Sequence, residues 1–95
     1  MNKFELIDAV ARQNDLPKVK AEQVVNSVFD IISAELENDG RVQIVGFGTF
    51  EVRKRIARDG KDPRTGADIK IPSTKTPAFK AGKPLKSRIK KKKIL

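Results

Sequence analysis

The amino-acid sequence predicts an α+β fold, in which two helices precede an antiparallel sheet and a short helix follows it. Apolar residues recur at helical spacing through the first forty residues, whereas from Arg41 they alternate with polar residues at a period of two. A second helical pattern follows Gly82. The chain has 95 residues, the length of one domain with a small hydrophobic core, so oligomerisation is expected.

The first helix is predicted over about residues 3–13. Asn2 followed three residues later by Glu5 is typical of a capping box, in which each residue satisfies the other's backbone N–H. The apolar stripe of this helix consists of Phe4, Leu6, Ile7, Val10 and Ala11.

The second helix follows a break at the sequence DLPKVK, and its apolar residues cover more than one face. They are Ala21, Val24, Val25, Val28, Phe29, Ile31, Ile32 and Leu36. This width predicts that the helix packs against both its own chain and a partner. The helix is expected to end at residues 38–40, with Gly40 as the left-handed residue of its C-cap.

The alternating segment that follows predicts two strands joined by a turn at Gly46 and Gly48. One face is apolar and comprises Val42, Ile44, Phe50 and Val52. The other face becomes increasingly basic along the chain and comprises Thr49, Glu51, Arg53 and Arg55.

The second strand continues beyond the last large apolar residues, which predicts a protruding ribbon. From Val52 to Pro63 an extended chain spans about 35 Å. Two turn signals, Asp59-Gly60 and Thr65-Gly66, enclose Pro63 and predict a hairpin tip there.

The chain is predicted to return from the tip as a strand that starts near Ile69. Pro72 and Pro77 have no backbone N–H, so this strand is expected to lie at an edge or to contain bulges. A short helix follows Gly82, since Pro84 is tolerated in a first helical turn.

The charge distribution indicates a protein that binds polyanions. Residues 1–50 contain 5 Lys+Arg and 8 Asp+Glu, whereas residues 51–95 contain 16 and 4. Basic charge at this density favours phosphate binding, because neutralised phosphates release their condensed counterions.

Several other classes of protein are disfavoured. The chain contains no Cys and no His, which excludes disulfides, thiolate metal sites and the usual catalytic bases, so no enzyme, cofactor or metal site is predicted. A nuclease could hold Mg²⁺ with Asp59, Asp62 and Asp68, but these are scattered around a loop. A sequence-specific helix-turn-helix protein would use the first two helices, which are net acidic. No stretch approaches the roughly 20 apolar residues of a membrane span, and no signal peptide is recognised, which predicts a soluble cytoplasmic protein.

Four motifs resemble the bacterial histone-like DNA-binding family of HU and integration host factor. They are GFGTF at 46–50, GKDPRTG at 60–66, IKI at 69–71 and PAFKAGKPLK at 77–86, and the resemblance covers essentially the whole chain. It implies an intertwined homodimer with a three-stranded antiparallel sheet, long β-ribbon arms and a short C-terminal helix. The arms would wrap double-stranded DNA in the minor groove and bend it by proline intercalation, compacting the nucleoid largely without regard to sequence. The alternative within the family is a site-directed bending factor; RNA is a conceivable ligand that no motif indicates.

The resemblance also implies one domain over residues 1–95. Its parts are a helical dimerisation body (1–40), the sheet and DNA-binding arm (41–81), and the C-terminal helix with its basic tail (82–95).

Roles for individual residues follow from the same resemblance. Pro63 would intercalate between base pairs. The residues implied to contact DNA are Arg53, Arg55, Arg58, Lys61, Arg64, Lys70, Lys75, Lys80, Lys83 and Lys86. The residues implied to form the dimer core are Phe29, Phe47, Phe50 and Phe79. Asp62 departs from the family pattern, which commonly has Asn before the proline, and its carboxylate opposes phosphate.

Overall fold

The computed structural model of the chain describes residues 1–90 and confirms the predicted α+β fold. Its elements are α1 (Lys3–Asn14), α2 (Lys18–Glu37), β1 (Val42–Ile44), β2 (Gly48–Arg55), β3 (Arg58–Lys61), β4 (Asp68–Ile71), β5 (Thr74–Ala81) and α3 (Lys83–Lys90). The chain forms two compact units, a helical unit over Met1–Glu35 and a sheet unit from Leu36 onward. The predicted basic tail lies almost wholly outside the described residues, so its role stays a prediction.

Helix α1 begins with the predicted capping box. The side chain of Asn2 accepts the Glu5 N–H at 2.9 Å, and the Glu5 carboxylate accepts the Asn2 N–H at 3.2 Å. The helix ends at Asp15, whose backbone is left-handed with φ of 52° and whose N–H donates to the carbonyl of Ala11. Both ends of α1 are therefore satisfied by local hydrogen bonds, as their sequence predicts.

The helical unit has a small core between α1 and α2. Ile7, Ala21 and Val25 are buried in it, with Leu6 and Val10 packed against them. Other apolar side chains of α2 remain exposed within this one chain, with exposed fractions of 41% for Val24, 48% for Val28, 48% for Phe29 and 65% for Ile31. The predicted excess width of the apolar surface of α2 is therefore present in the folded unit.

The end of α2 differs from the prediction. Asp39, not Gly40, is the left-handed residue, with φ of 59°, and its N–H donates to the carbonyl of Leu36 at 3.1 Å. Aspartate tolerates this conformation better than most residues. Its carboxylate also binds Lys54 and Lys75, which adds stabilising contacts at this position.

The sheet unit contains a three-stranded antiparallel sheet in the order β1-β2-β5. Strands β1 and β2 are joined by the predicted glycine turn, in which Gly46 has φ of 85° and the Phe47 N–H donates to the carbonyl of Ile44 at 3.0 Å. Strand β5 contains Pro77 and lies at the edge, as predicted for a strand that cannot donate at that residue.

The strand register assigns each side chain of this sheet to one of two faces, as the alternation predicts. The apolar face carries Val42, Ile44, Gly48, Phe50, Val52, Pro77, Phe79 and Ala81. The basic face carries Gln43, Thr49, Glu51, Arg53, Arg55, Thr74, Thr76, Ala78 and Lys80.

The ribbon is interrupted rather than continuous. Pairing of β2 with β5 ends at Arg55 and Thr74, and a second two-stranded sheet, β3 with β4, resumes at Arg58 and Ile71. The prediction of an unbroken second strand is therefore wrong between Arg55 and Arg58. One cause is Pro72 in the return strand, which has no N–H to donate to the ladder.

Helix α3 is attached to the sheet through its first turn. The Gly82 N–H donates to the carbonyl of Phe47 at 2.8 Å, and the carbonyl of Gly82 accepts the Lys86 N–H at 3.1 Å. A side chain at position 82 would be crowded, because a Cβ on Gly82 would lie 3.2 Å from the Phe47 carbonyl oxygen. The start of α3 is therefore fixed beside the β1–β2 turn.

Candidate nucleic-acid interface

The basic face of the sheet carries three cations from two strands. Arg53 and Arg55 are neighbours on this face of β2. Lys80 on β5 lies opposite Thr49 in the register. Both arginine side chains border a shallow hollow of about 330 Å³ with Thr74 of β5. Both arginines are exposed and line a shallow strip that could receive a phosphate backbone.

The opposite face carries the predicted aromatic cluster. The ring centroid of Phe79 lies 5.2 Å from that of Phe47 and 4.9 Å from that of Phe50, within the range of favourable aromatic pairs. Phe47 and Phe79 nevertheless remain 42% and 41% exposed in the single chain. Phe29 belongs to the helical unit, where it is also exposed.

Lys75 lies apart from the other predicted DNA contacts, at the outer end of the apolar face. There it pairs directly with Lys54 in the register, and both ammonium groups bind Asp39, at 3.0 Å for Lys75 and 3.4 Å for Lys54. The hydrogen bond from Lys75 lowers the pKa of the Asp39 carboxyl, partial burial opposes this, and Lys54 lowers the pKa further. The contacts of Lys54 and Asp39 were not predictable from the sequence, since Asp39 and Lys75 are 36 residues apart and no local pattern joins them.

The ribbon tip is organised around Asp62. Its N–H donates to the carbonyl of Ala67 at 2.8 Å, and its own carbonyl accepts the Gly66 N–H at 2.7 Å. One carboxylate oxygen accepts the Arg64 N–H at 2.8 Å, which forms an Asx turn around Pro63. The carboxylate that departs from the family pattern is thus engaged with the backbone, and Pro63 is held exposed at the corner of the turn.

The outer ribbon is nearly balanced in charge. Lys61 and Asp68 are paired in the register, and the ammonium nitrogen of Lys61 lies 3.8 Å from a carboxylate oxygen of Asp68. Lys70 is paired in the register with Asp59. Arg58 lies on the other face of the ribbon, opposite Ile71. The predicted contacts of this segment are therefore divided between two faces, unlike those of the basic face of the sheet.

The last two predicted contacts, Lys83 and Lys86, lie in the first turn of α3. They are three residues apart on one side of the helix and are exposed. The N–H groups of this turn that precede Lys86 have no partner within the helix, which favours anions near these lysines.

Neither a cluster of metal-ligating side chains nor a membrane-spanning helix is present in the part of the chain that the structure describes. Residues 1–90 contain no group of three or more acidic, His or Cys side chains that could hold a metal ion. Within the same residues, no helix has the length and apolar character needed to cross a bilayer.

The chain is similar to known proteins over nearly its whole length. The family model for bacterial DNA-binding proteins matches residues 1–90. DNA-binding protein HU-1 of Halalkalibacterium halodurans is 54% identical over 89 residues, covering 94% of this chain and 99% of the relative. DNA-binding protein HU of Staphylococcus aureus is 53% identical over 90 residues, covering 95% and 100%.

A solved structure is similar in fold as well as in sequence. The HU chain of an Anabaena HU–DNA cocrystal structure superimposes with a TM-score of 0.81 at 40% identity, covering 94% of this chain and 97% of that chain. Family model, sequence relatives and structure agree across the helical unit, the sheet and the ribbon. The chain belongs to the family of bacterial DNA-binding proteins of the HU type.

Proposed function

We propose that this chain is an architectural DNA-binding protein that bends double-stranded DNA and compacts the bacterial nucleoid in the cytoplasm. The observation that carries the proposal is the segregation of Arg53, Arg55 and Lys80 on one face of the sheet, with Pro63 exposed at the ribbon tip. Phosphates would bind the basic face, and the tip would enter the minor groove, where proline unstacks a base step. The whole chain would act as one such module, with 1–40 as dimerisation body, 41–81 as sheet and arm, and 82–95 as helix and tail.

The cationic contacts would act together. Arg53, Arg55 and Lys80 would bind at the sheet, Lys83 and Lys86 at α3, and Arg58, Lys61, Arg64 and Lys70 along the ribbon. None of the contacts needs to read a base edge, so sequence preference is expected to be weak. Site-directed bending would require base-edge contacts or indirect readout of DNA shape, and the described cations favour sequence-independent phosphate contact instead. The proposed activity is binding and bending, with no catalytic step.

The test is end-to-end energy transfer on a labelled duplex of about 35 base pairs. Wild-type protein is expected to shorten the end-to-end distance. In the double variant R53Q/R55Q, four arginines are removed per dimer, so the slope of log affinity against log salt should fall by about 3–4 and affinity by about a hundredfold.

The control for that double variant is R12Q/K20Q, which makes the same charge change in the helical unit. It is expected to bind and bend like the wild type. Equal losses in the two double variants would mean that net charge alone governs binding, and absence of bending by the wild type would overturn the proposed function.

We also propose that the active form is a homodimer. Described residues from Leu36 onward include no large apolar side chain that is fully buried, and Phe47 and Phe79 are each about two-fifths exposed. The helical unit likewise leaves Val28 and Phe29 exposed on α2. A second chain covering these surfaces would supply the apolar burial that one chain lacks.

Sedimentation equilibrium at about micromolar concentration is expected to give twice the 10.6 kDa mass of one chain. The midpoint of thermal unfolding should rise with protein concentration, as it does when folding and assembly are coupled. Phe29→Asp should abolish both results, because it places a charge in the proposed interface. Phe4→Asp, the same change at a side chain that is 75% exposed on α1, is the control and should remain dimeric. A folded wild-type monomer would contradict the proposal.

A further inference from the structure

The cluster of Asp39, Lys54 and Lys75 lies outside the basic face. Lys54 and Lys75 are directly opposed across β2 and β5 on the apolar face, where two like charges repel. Asp39 binds both: its two oxygens lie 3.0 and 3.1 Å from the ammonium nitrogen of Lys75, and one of them lies 3.4 Å from that of Lys54. One carboxylate thus partly neutralises the cations at the root of the ribbon.

The geometry of Asp39 makes this arrangement specific. Its backbone is left-handed at the end of α2, and its carboxylate lies within ion-pair distance of both lysines. Lys54 lies between Arg53 and Arg55 in the sequence, yet alternation along β2 places its side chain on the other side of the sheet. Without Asp39, the root of the ribbon would present unpaired cations on both faces.

We propose that Asp39 confines DNA to the basic face of the sheet by withholding Lys54 and Lys75 from phosphate. This inference rests on the proposed DNA-binding function and deepens it: Asp39 is a specificity-determining residue for which face binds the polyanion. Lys75 accordingly acts with Asp39, and not as the direct DNA contact that the family resemblance implies. One dimer would therefore hold one duplex at its basic faces and would not bridge to a second duplex through the opposite side.

The lowered pKa of the Asp39 carboxyl is consistent with this role. The largest cause of the lowered pKa is the hydrogen bond from Lys75, and the same carboxylate also accepts a hydrogen bond from Lys54. Protonation of Asp39 is therefore not expected to release the lysines near neutral pH. The confinement would persist under the conditions in which DNA is bound.

The test uses Asp39→Asn and a matched control, Asp15→Asn. Asn tolerates the left-handed backbone, so both variants should keep their helix ends, and each removes one negative charge. Asp15 has φ of 52° at the end of α1, close to the 59° of Asp39. The control therefore reproduces the backbone and the change in net charge without touching the lysine pair.

Two results are expected of Asp39→Asn alone. With two duplexes carrying different labels, it should bridge them at protein concentrations where wild type and Asp15→Asn hold single duplexes. Four released cations per dimer should also raise the salt slope by about 3.6, so its affinity relative to Asp15→Asn should increase roughly a hundredfold between 200 and 50 mM salt. Asp39→Asn/Lys54→Gln/Lys75→Gln should lose both effects.

The outcomes separate this inference from the proposed function. If the wild type binds and bends DNA while Asp39→Asn behaves like Asp15→Asn, the inference is overturned and the proposed function stands. If the salt slope rises without bridging, the released lysines reach the duplex already bound, and confinement to one face is overturned. If the wild type neither binds nor bends DNA, both proposals fall.

Discussion

Pro63→Ala is expected to remove at least half of the shortening that the wild type produces in a bent duplex. A rigid proline ring presents an apolar face to a base step without losing rotamer freedom, whereas the smaller alanine side chain fills much less of the opened step. Affinity should fall by about tenfold at most, because the cost of unstacking the step is removed together with the wedge. The salt slope should stay unchanged, since no cation is lost.

The backbone conformation of the ribbon tip should be retained in Pro63→Ala. Asp62 forms its hydrogen bonds to Arg64, Gly66 and Ala67 through atoms that do not belong to Pro63. Pro84→Ala is the matched control, because it removes an exposed proline outside the arm and leaves the ribbon unchanged. Both variants would be measured by end-to-end energy transfer on the same duplex. Wild-type bending by Pro63→Ala would show that this proline only shapes the turn.

Gly48→Ala is expected to destabilise the protein by about 3 kcal/mol, in the upper range for overpacking a close contact. A Cβ at this position would lie 2.5 Å from Cζ of Phe79 and 2.6 Å from the carbonyl oxygen of Lys80. The ring belongs to the aromatic cluster, and the carbonyl belongs to β5, so relief requires movement of the β2–β5 pair. The unfolding midpoint should fall by roughly 10 °C or more.

Gly60→Ala is the corresponding control in the ribbon. A Cβ there would also be close to a neighbour, 2.7 Å from Cδ1 of Ile71, but that atom is the end of a flexible side chain that can rotate away. Thermal unfolding followed by circular dichroism, at one fixed protein concentration, measures both variants. A midpoint for Gly48→Ala as high as that for Gly60→Ala would contradict the close approach at Gly48.

Local patterns predicted most of the elements correctly, because their causes lie within a few residues. The capping box of Asn2 and Glu5 needs only a spacing of three, and the glycine turn before β2 needs only a left-handed residue at Gly46. The two faces of the sheet follow from alternation, so the side of Arg53 and Arg55 was predictable. The resemblance to a family then implied DNA contacts for these arginines and intercalation for Pro63.

Other features depend on neighbours that are distant in the sequence. Glycine is the commoner left-handed cap, which favoured Gly40, yet Asp39 takes that conformation and also contacts two lysines from different strands. The family resemblance implied a DNA contact for Lys75, whereas the register pairs it with Lys54 on the apolar face. Neither outcome is encoded in any short segment.

The sequence by itself determined the order of helices and strands, the polarity of the two sheet faces and the position of Pro63 at a turn. These depend on periodicity and on backbone preferences of single residues, which act locally. Only the tertiary structure decided that Asp62 holds the turn around Pro63, that the ribbon ladder is interrupted, and that Lys54 and Lys75 pair with Asp39. A cation's availability for phosphate depends on the carboxylates within a few ångströms of it, and for Lys75 that carboxylate is brought close only by folding.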